Sequence, residues 1–127
     1  MKLFGTLYKI LETENAAMHF SSTVELNANH IVYTGHFPGH PVTPGVIQMQ
    51  IVHELVEKHF ARKLTLLTMD QAKFLTILDP TITPCITIKI EYMNTGDLLQ
   101  VKAIGGWGKL VFFRMQSLFR FSPPLPV

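Results

Sequence analysis

One segment decides most of what this chain can fold into. Residues 46–60 are apolar almost all round in their first half, with Val46, Ile47, Met49, Ile51, Val52, Leu55 and Val56. A helix without a polar side in its first turns is stable only where other elements cover it. Pro44-Gly45 marks its start, and the pattern predicts a helix over about 45–62. The polar positions Gln50, His53, Glu54 and Glu57 recur at i, i+3, i+4 and i+7, so they share one face. That face meets either solvent or a polar site, and Gln50 is its member nearest the preceding loop.

The rest of the chain supplies the cover as strands. Residues 64–74 form the first after the helix. Ile86, Ile88, Ile90 and Tyr92 then alternate with Cys85, Thr87, Lys89 and Glu91, the period of a half-buried strand. Asn94-Thr95-Gly96 turns the chain into 98–104, and Gly105-Gly106-Trp107-Gly108 turns it again into 109–121. Upstream, 23–26 and 31–33 read as two strands joined by a tight turn at Asn27-Ala28-Asn29. At 127 residues the chain is expected to be one α+β domain over 1–127, a long antiparallel sheet wrapped around one central helix.

The surplus of apolar over charged residues, 47% against 16%, is more than such a domain needs and points to an oligomer interface. No stretch approaches the roughly 18 apolar residues of a membrane span. Lys9, Glu12 and Glu14 interrupt the N-terminal region before a signal-peptide core can form, and Cys85 stands alone, as suits a reducing cytoplasm. Lys102, Lys109, Arg114 and Arg120 are the only charged residues after Asp97. A basic C-terminal third suits an acidic partner or is an ordinary solvated face, and no dense Lys/Arg cluster points to nucleic acid.

The loop before the helix carries the candidate chemistry. His36-Phe37-Pro38-Gly39-His40-Pro41-Val42-Thr43-Pro44-Gly45-Val46-Ile47 holds three prolines, which push Phe37, His40 and Thr43 out of helical geometry and stiffen the segment. A stiff loop can hold His36 in one place, as a general base requires. The first helical amides, at Gly45 and Val46, point back at it and can polarise a carbonyl.

This loop resembles the signature of the beta-hydroxyacyl-acyl carrier protein dehydratases of the hot-dog fold, and Asp70-Gln71-Ala72-Lys73-Phe74 with Asp79-Pro80 is similar to the strand after their central helix. The resemblance implies elimination of water from a (3R)-hydroxyacyl thioester to give a trans-2-enoyl product, with His36 as base. Phe37, Gly45 and Val46 then bind the substrate, and the thioester carbonyl meets an amide near Gly45 or Val46. It also implies acyl carrier protein as partner, a homodimer or trimer of dimers, substrate carried on phosphopantetheine, and no metal or cofactor. The family's helix carboxylate, contributed by the partner subunit, falls at Gln50 here. An amide has no titrating proton, so Gln50 can orient a hydroxyl but not protonate it. Glu54, four residues on, is the candidate replacement, or else pairs with Lys58 at i+4 on a solvated face. Two other readings stand beside the enzyme: a non-catalytic subunit that binds acyl carrier protein or an active homologue, and a hot-dog thioesterase. A metal site is not expected. Pro38 and Pro41 deny His36 and His40 helical spacing, and His53 and His59 lie six apart.

Overall fold

The computed structural model describes residues 2–34 and 39–123. Six antiparallel strands form one sheet in the order β1-β2-β4-β5-β6-β3: β1 Tyr8–Ala16, β2 His19–Leu26, β3 Leu64–Phe74, β4 Cys85–Thr95, β5 Leu98–Trp107 and β6 Leu110–Phe121. The single α-helix among the described residues, α1, spans Gly45–Phe60. It buries Ile47, Gln48, Ile51, Val52, Leu55 and Val56, and the apolar ones pack in one core with one face of the sheet. That face carries Phe20, Val24, Ile86, Ile88, Ile90, Val101, Ala103, Met115 and Phe119, all almost fully enclosed. This is the expected hot-dog arrangement, and the apolar girth of the helix explains it: only a curved sheet covers so much of one helix.

The helix and strands β3 to β6 lie where the sequence pattern puts them, with α1 closing slightly earlier than expected. Ala61 takes a left-handed conformation (φ 52°) and donates to Lys58 O, while Arg62 N donates to Glu57 O. These are the capping bonds of a helix C-terminus. Strand β5 also runs on through Gly105 and Gly106, where the register with β6 shifts, and the turn falls at Gly108.

Two upstream expectations are corrected. Residues 31–33 form a 3-10 turn rather than a strand. Asn29 N donates to Asn27 Oδ1, His30 N to Asn27 O, and Val32 N to His30 Nδ1, so short polar side chains satisfy this backbone locally. Strand β2 pairs instead with β1, whose Lys9, Glu12 and Glu14 conceal an edge strand with little apolar alternation.

His59, near the end of α1, stacks on Phe20 with ring centroids 4.1 Å apart and planes 9° from parallel, and its Nε2 lies 3.3 Å from Tyr92 Oη. Burial holds its pKa below the ordinary 6.5. The unfolded chain therefore takes up the proton first as pH falls, so this contribution to stability is present above pH 6.5 and lost below it. Urea midpoints measured from pH 7.5 to 5 should drop less for His59→Phe than for wild type; equal slopes would remove His59 from the acid response.

Candidate active site

The N-terminus of α1 is held by Thr43, which is only 2% exposed. Its N–H donates to Leu78 O at 2.9 Å, its hydroxyl lies 2.9 Å from Tyr33 Oη, and its carbonyl accepts from Gln48 Nε2 at 2.9 Å. Burial raises the pKa of Tyr33, so it stays a neutral hydroxyl partner. The stiff loop expected from its prolines is therefore anchored at its downstream end by three separate elements. Gln48 was not legible as a site residue. It sits among apolar neighbours at 3% exposure, braces Thr43 through Nε2, and leaves its Oε1 without a hydrogen-bond partner.

Pro44 is the N-cap and provides no side-chain cap. Ile47 N and Gln48 N both donate to Pro44 O, at 3.0 and 3.1 Å. The Gly45 and Val46 N–H groups donate no bond among the described residues, at the positive end of the helix dipole. Val46 is 68% exposed there. The Phe74 ring, at the end of β3, lies over Gly45 so closely that an added Cβ would stand 2.7 Å from its Cζ. Two donors beside an apolar wall can hold the carbonyl of an acyl thioester. In Gly45→Ala the Phe74 ring must swing away. The expected result is a kcat/KM lower by about tenfold or more, with a nearly unchanged melting temperature, because the ring is half exposed and free to move.

One turn further along, Gln50 and Glu54 line an open groove of about 430 Å³ with Lys2, Phe4, Tyr8 and Lys58. Gln50 Nε2 donates to Glu54 Oε2 at 2.9 Å. Leu3 N donates to the same oxygen at 2.8 Å, and Phe4 N and Tyr8 Oη donate to Oε1 at 2.8 and 3.0 Å. The alternative expectation of a Glu54–Lys58 pair is thus replaced: Lys58 Nζ sits 4.4 Å above the Phe4 ring. The pairing loses because four other donors already occupy the carboxylate. Burial, followed by the Glu54 charge and hydrogen bond, pushes the Tyr8 pKa far up, which keeps its hydroxyl a donor. Tyr8 and residues 3–4 carry no motif that marks them in the sequence.

The rest of the polar helix face is engaged as well. His53 Nε2 lies 2.9 Å from Leu64 O and 3.5 Å from Glu57 Oε2, which accepts Leu64 N at 2.9 Å. The structure thus brings Gly45, Val46, Gln50 and Glu54 onto the first three turns of one helix. His36 and Phe37 lie outside the described residues. His40 is exposed, Cys85 is half-buried at the start of β4, and no group of metal-ligating side chains occurs among the described residues. Lys102, Arg114 and Arg120 project from the exposed face of the sheet, Arg120 towards Asp97 at 3.6 Å, and Lys109 is exposed at the β5–β6 turn.

Residues 12–103 match the family model of the ApeI-like proteins, described as ApeI dehydratase. The 3-hydroxyacyl-[acyl-carrier-protein] dehydratase FabZ of Fusobacterium nucleatum is 28% identical over 88 residues, which are 65% of this chain and 62% of that enzyme. The chain thus matches less than two thirds of its curated relative's length. Among solved structures, the dehydratase heterocomplex ApeI:P of Xenorhabdus doucetiae superposes with a TM-score of 0.71 at 19% identity, covering 88% of this chain and 96% of that one. A thioesterase from Staphylococcus aureus superposes with a TM-score of 0.65 at 11% identity, over 91% and 93% of the two chains. Both share the fold.

Proposed function

The chain belongs to the ApeI-like dehydratase family, and from that membership we propose that it removes water from a (3R)-hydroxyacyl thioester on acyl carrier protein, giving the trans-2-enoyl thioester. The observation that carries this reading is the helix start without a side-chain cap from Pro44, where the Gly45 and Val46 amides donate no bond among the described residues. A thioester carbonyl bound there gains acidity at C2, because the enolate charge that develops on oxygen falls on the dipole. His36 takes the C2 proton. The electron pair forms the C2–C3 double bond as the C3–O bond breaks, and the imidazolium returns its proton to the departing hydroxyl, which leaves as water. Gln50 orients that hydroxyl. Neither step draws on a metal or cofactor. Phe37 and Val46 bind the acyl thioester.

The family resemblance takes the helix residue from a partner subunit, so we place a second copy along β3. That strand is a free edge of the sheet, and Thr65, Leu66, Leu67 and Thr68 are exposed along it. The exposed cations Lys102, Lys109 and Arg114 suit an acidic carrier protein. No described helix is long and apolar enough to cross a membrane, and we place the reaction in the cytoplasm with its carrier-bound substrate.

The test is hydration of a short trans-2-enoyl acyl-carrier-protein thioester, followed by loss of enoyl absorbance. Turnover supports the dehydratase. A second reading is favoured by Gln50: a non-catalytic subunit that pairs with an active homologue, as the similar ApeI:P assembly is by its name a heterocomplex. Silence of this chain alone, with turnover restored on adding a homologue that carries the helix carboxylate, would select that role. Release of free thiol without enoyl chemistry would select thioester hydrolysis.

A further inference from the structure

We propose that Glu54 is a positioning residue for the dehydration described above, locking the amide of Gln50 in one of its two orientations so that the carbonyl Oε1 is the end that meets the substrate hydroxyl. The proposal rests on that reading of the site. A side-chain amide can present either its NH2 or its oxygen, and the two ends are nearly equal in shape. A carboxylate only accepts hydrogen bonds, so the end of Gln50 that faces Glu54 must be the NH2. Oε1 is then the opposite end, an acceptor suited to a hydroxyl or a water.

Glu54 can impose this choice because it is itself fixed. Each of its oxygens accepts two bonds, which fills the carboxylate: Leu3 N and Gln50 Nε2 on Oε2, Phe4 N and Tyr8 Oη on Oε1. No acceptor direction is left for substrate. This is the geometry of a residue that acts through its neighbour. The donors are not a fraying end. Leu7 N and Thr6 N both donate to Leu3 O, Gly5 N donates to Tyr8 O, and Leu3 is buried. The Phe4 ring packs edge-on against Tyr8, with centroids 5.7 Å apart, beneath the Lys58 ammonium. The segment around residues 3–8 is therefore a clamp that reaches the reacting hydroxyl through two successive side chains.

The test is a double-mutant cycle on the full chain, using the enoyl-thioester hydration assay. Glu54→Gln can offer Gln50 either a donor or an acceptor, so position 54 no longer dictates which end of the amide faces it. The expected result is a kcat lower by about 10–100-fold with KM little changed. Tyr8→Phe, which removes one of four donors and should fold readily, should cost less in kcat and likewise spare KM. In a Gln50→Ala background, Glu54→Gln and Tyr8→Phe should cost nothing further. Equal losses in both backgrounds would make Glu54 merely structural and overturn the proposal. A readout independent of turnover is the 15N-labelled side-chain amide of Gln50, identified by its disappearance in Gln50→Ala. Glu54→Gln should move the proton signal of the amide hydrogen that is directed at Glu54, and an unmoved signal overturns the proposal. A wild type without turnover refutes the dehydratase reading instead, and the Gln50 signals then still decide whether Glu54 holds the amide.

Discussion

His36→Ala is expected to lower the rate of enoyl-thioester hydration by about 10²–10⁴-fold, the usual worth of a general acid–base group, and in this site towards the upper end. The imidazole has two duties in the proposed reaction, taking the C2 proton and returning it to oxygen. Gln50 has no proton to give, and Glu54 is filled by four donors. The loss should fall on kcat, because the carbonyl contact at Gly45 and Val46 is untouched by the change. A variant that keeps more than a tenth of wild-type kcat would show that the base lies elsewhere on the chain.

Gln50→Glu should have the second largest effect, in the opposite direction. Its new carboxyl stands where the amide now lies, 2.9 Å from Glu54 Oε2. Two carboxylates that close cannot both ionise, and they titrate as a pair. Leu3 N, Phe4 N and Tyr8 Oη already donate to Glu54, so the hydrogen shared between the two carboxyls is the one that position 50 donates to Oε2 in place of the amide. Its folded pKa is raised, which makes it a carboxylic acid near neutral pH and a proton donor for the departing hydroxyl. Turnover should rise by about tenfold or more, and the pH–rate profile should acquire an alkaline limb that wild type lacks. Stability follows the same proton. A pKa raised above the unfolded value of about 4.3 gives a contribution that is complete below that pH and lost as pH rises through the folded value. Measured against wild type, the variant's urea midpoint should therefore worsen from pH 4 to pH 8. A rate without an alkaline limb, or a midpoint difference that does not vary with pH, would mean that the two carboxylates are not coupled.

The central helix and the four strands after it were legible because burial writes a period into the sequence. The apolar residues of α1 and the alternation through β4 both report which side faces the core. Strand β1 was not, because an exposed edge selects charge over alternation and its residues are almost all exposed. Residues 31–33 misled for the opposite reason: Ile31, Val32 and Tyr33 look like a strand, but the capping by His30 and the turn at Asn27–Asn29 are side-chain chemistry that no period records. In the site, the spacing of Gln50 and Glu54 was enough to place them together. What Glu54 does there was hidden, because three of its four donors are 46 to 51 residues away and two of those are backbone amides. Gln48 was hidden too, since a buried glutamine bonded to a loop carbonyl leaves no trace in an apolar pattern.

Those two backbone donors bear on how this chain tolerates change. What Glu54 takes from residues 3 and 4 is peptide N–H, a group that nineteen of the twenty amino acids supply alike. Substitution there is invisible to the carboxylate unless it introduces proline, whereas loss of the residues empties two of its four bonds. Residues 3 and 4 are therefore free to drift in identity, within the needs of their packing, while their register is held by a side chain fifty residues away.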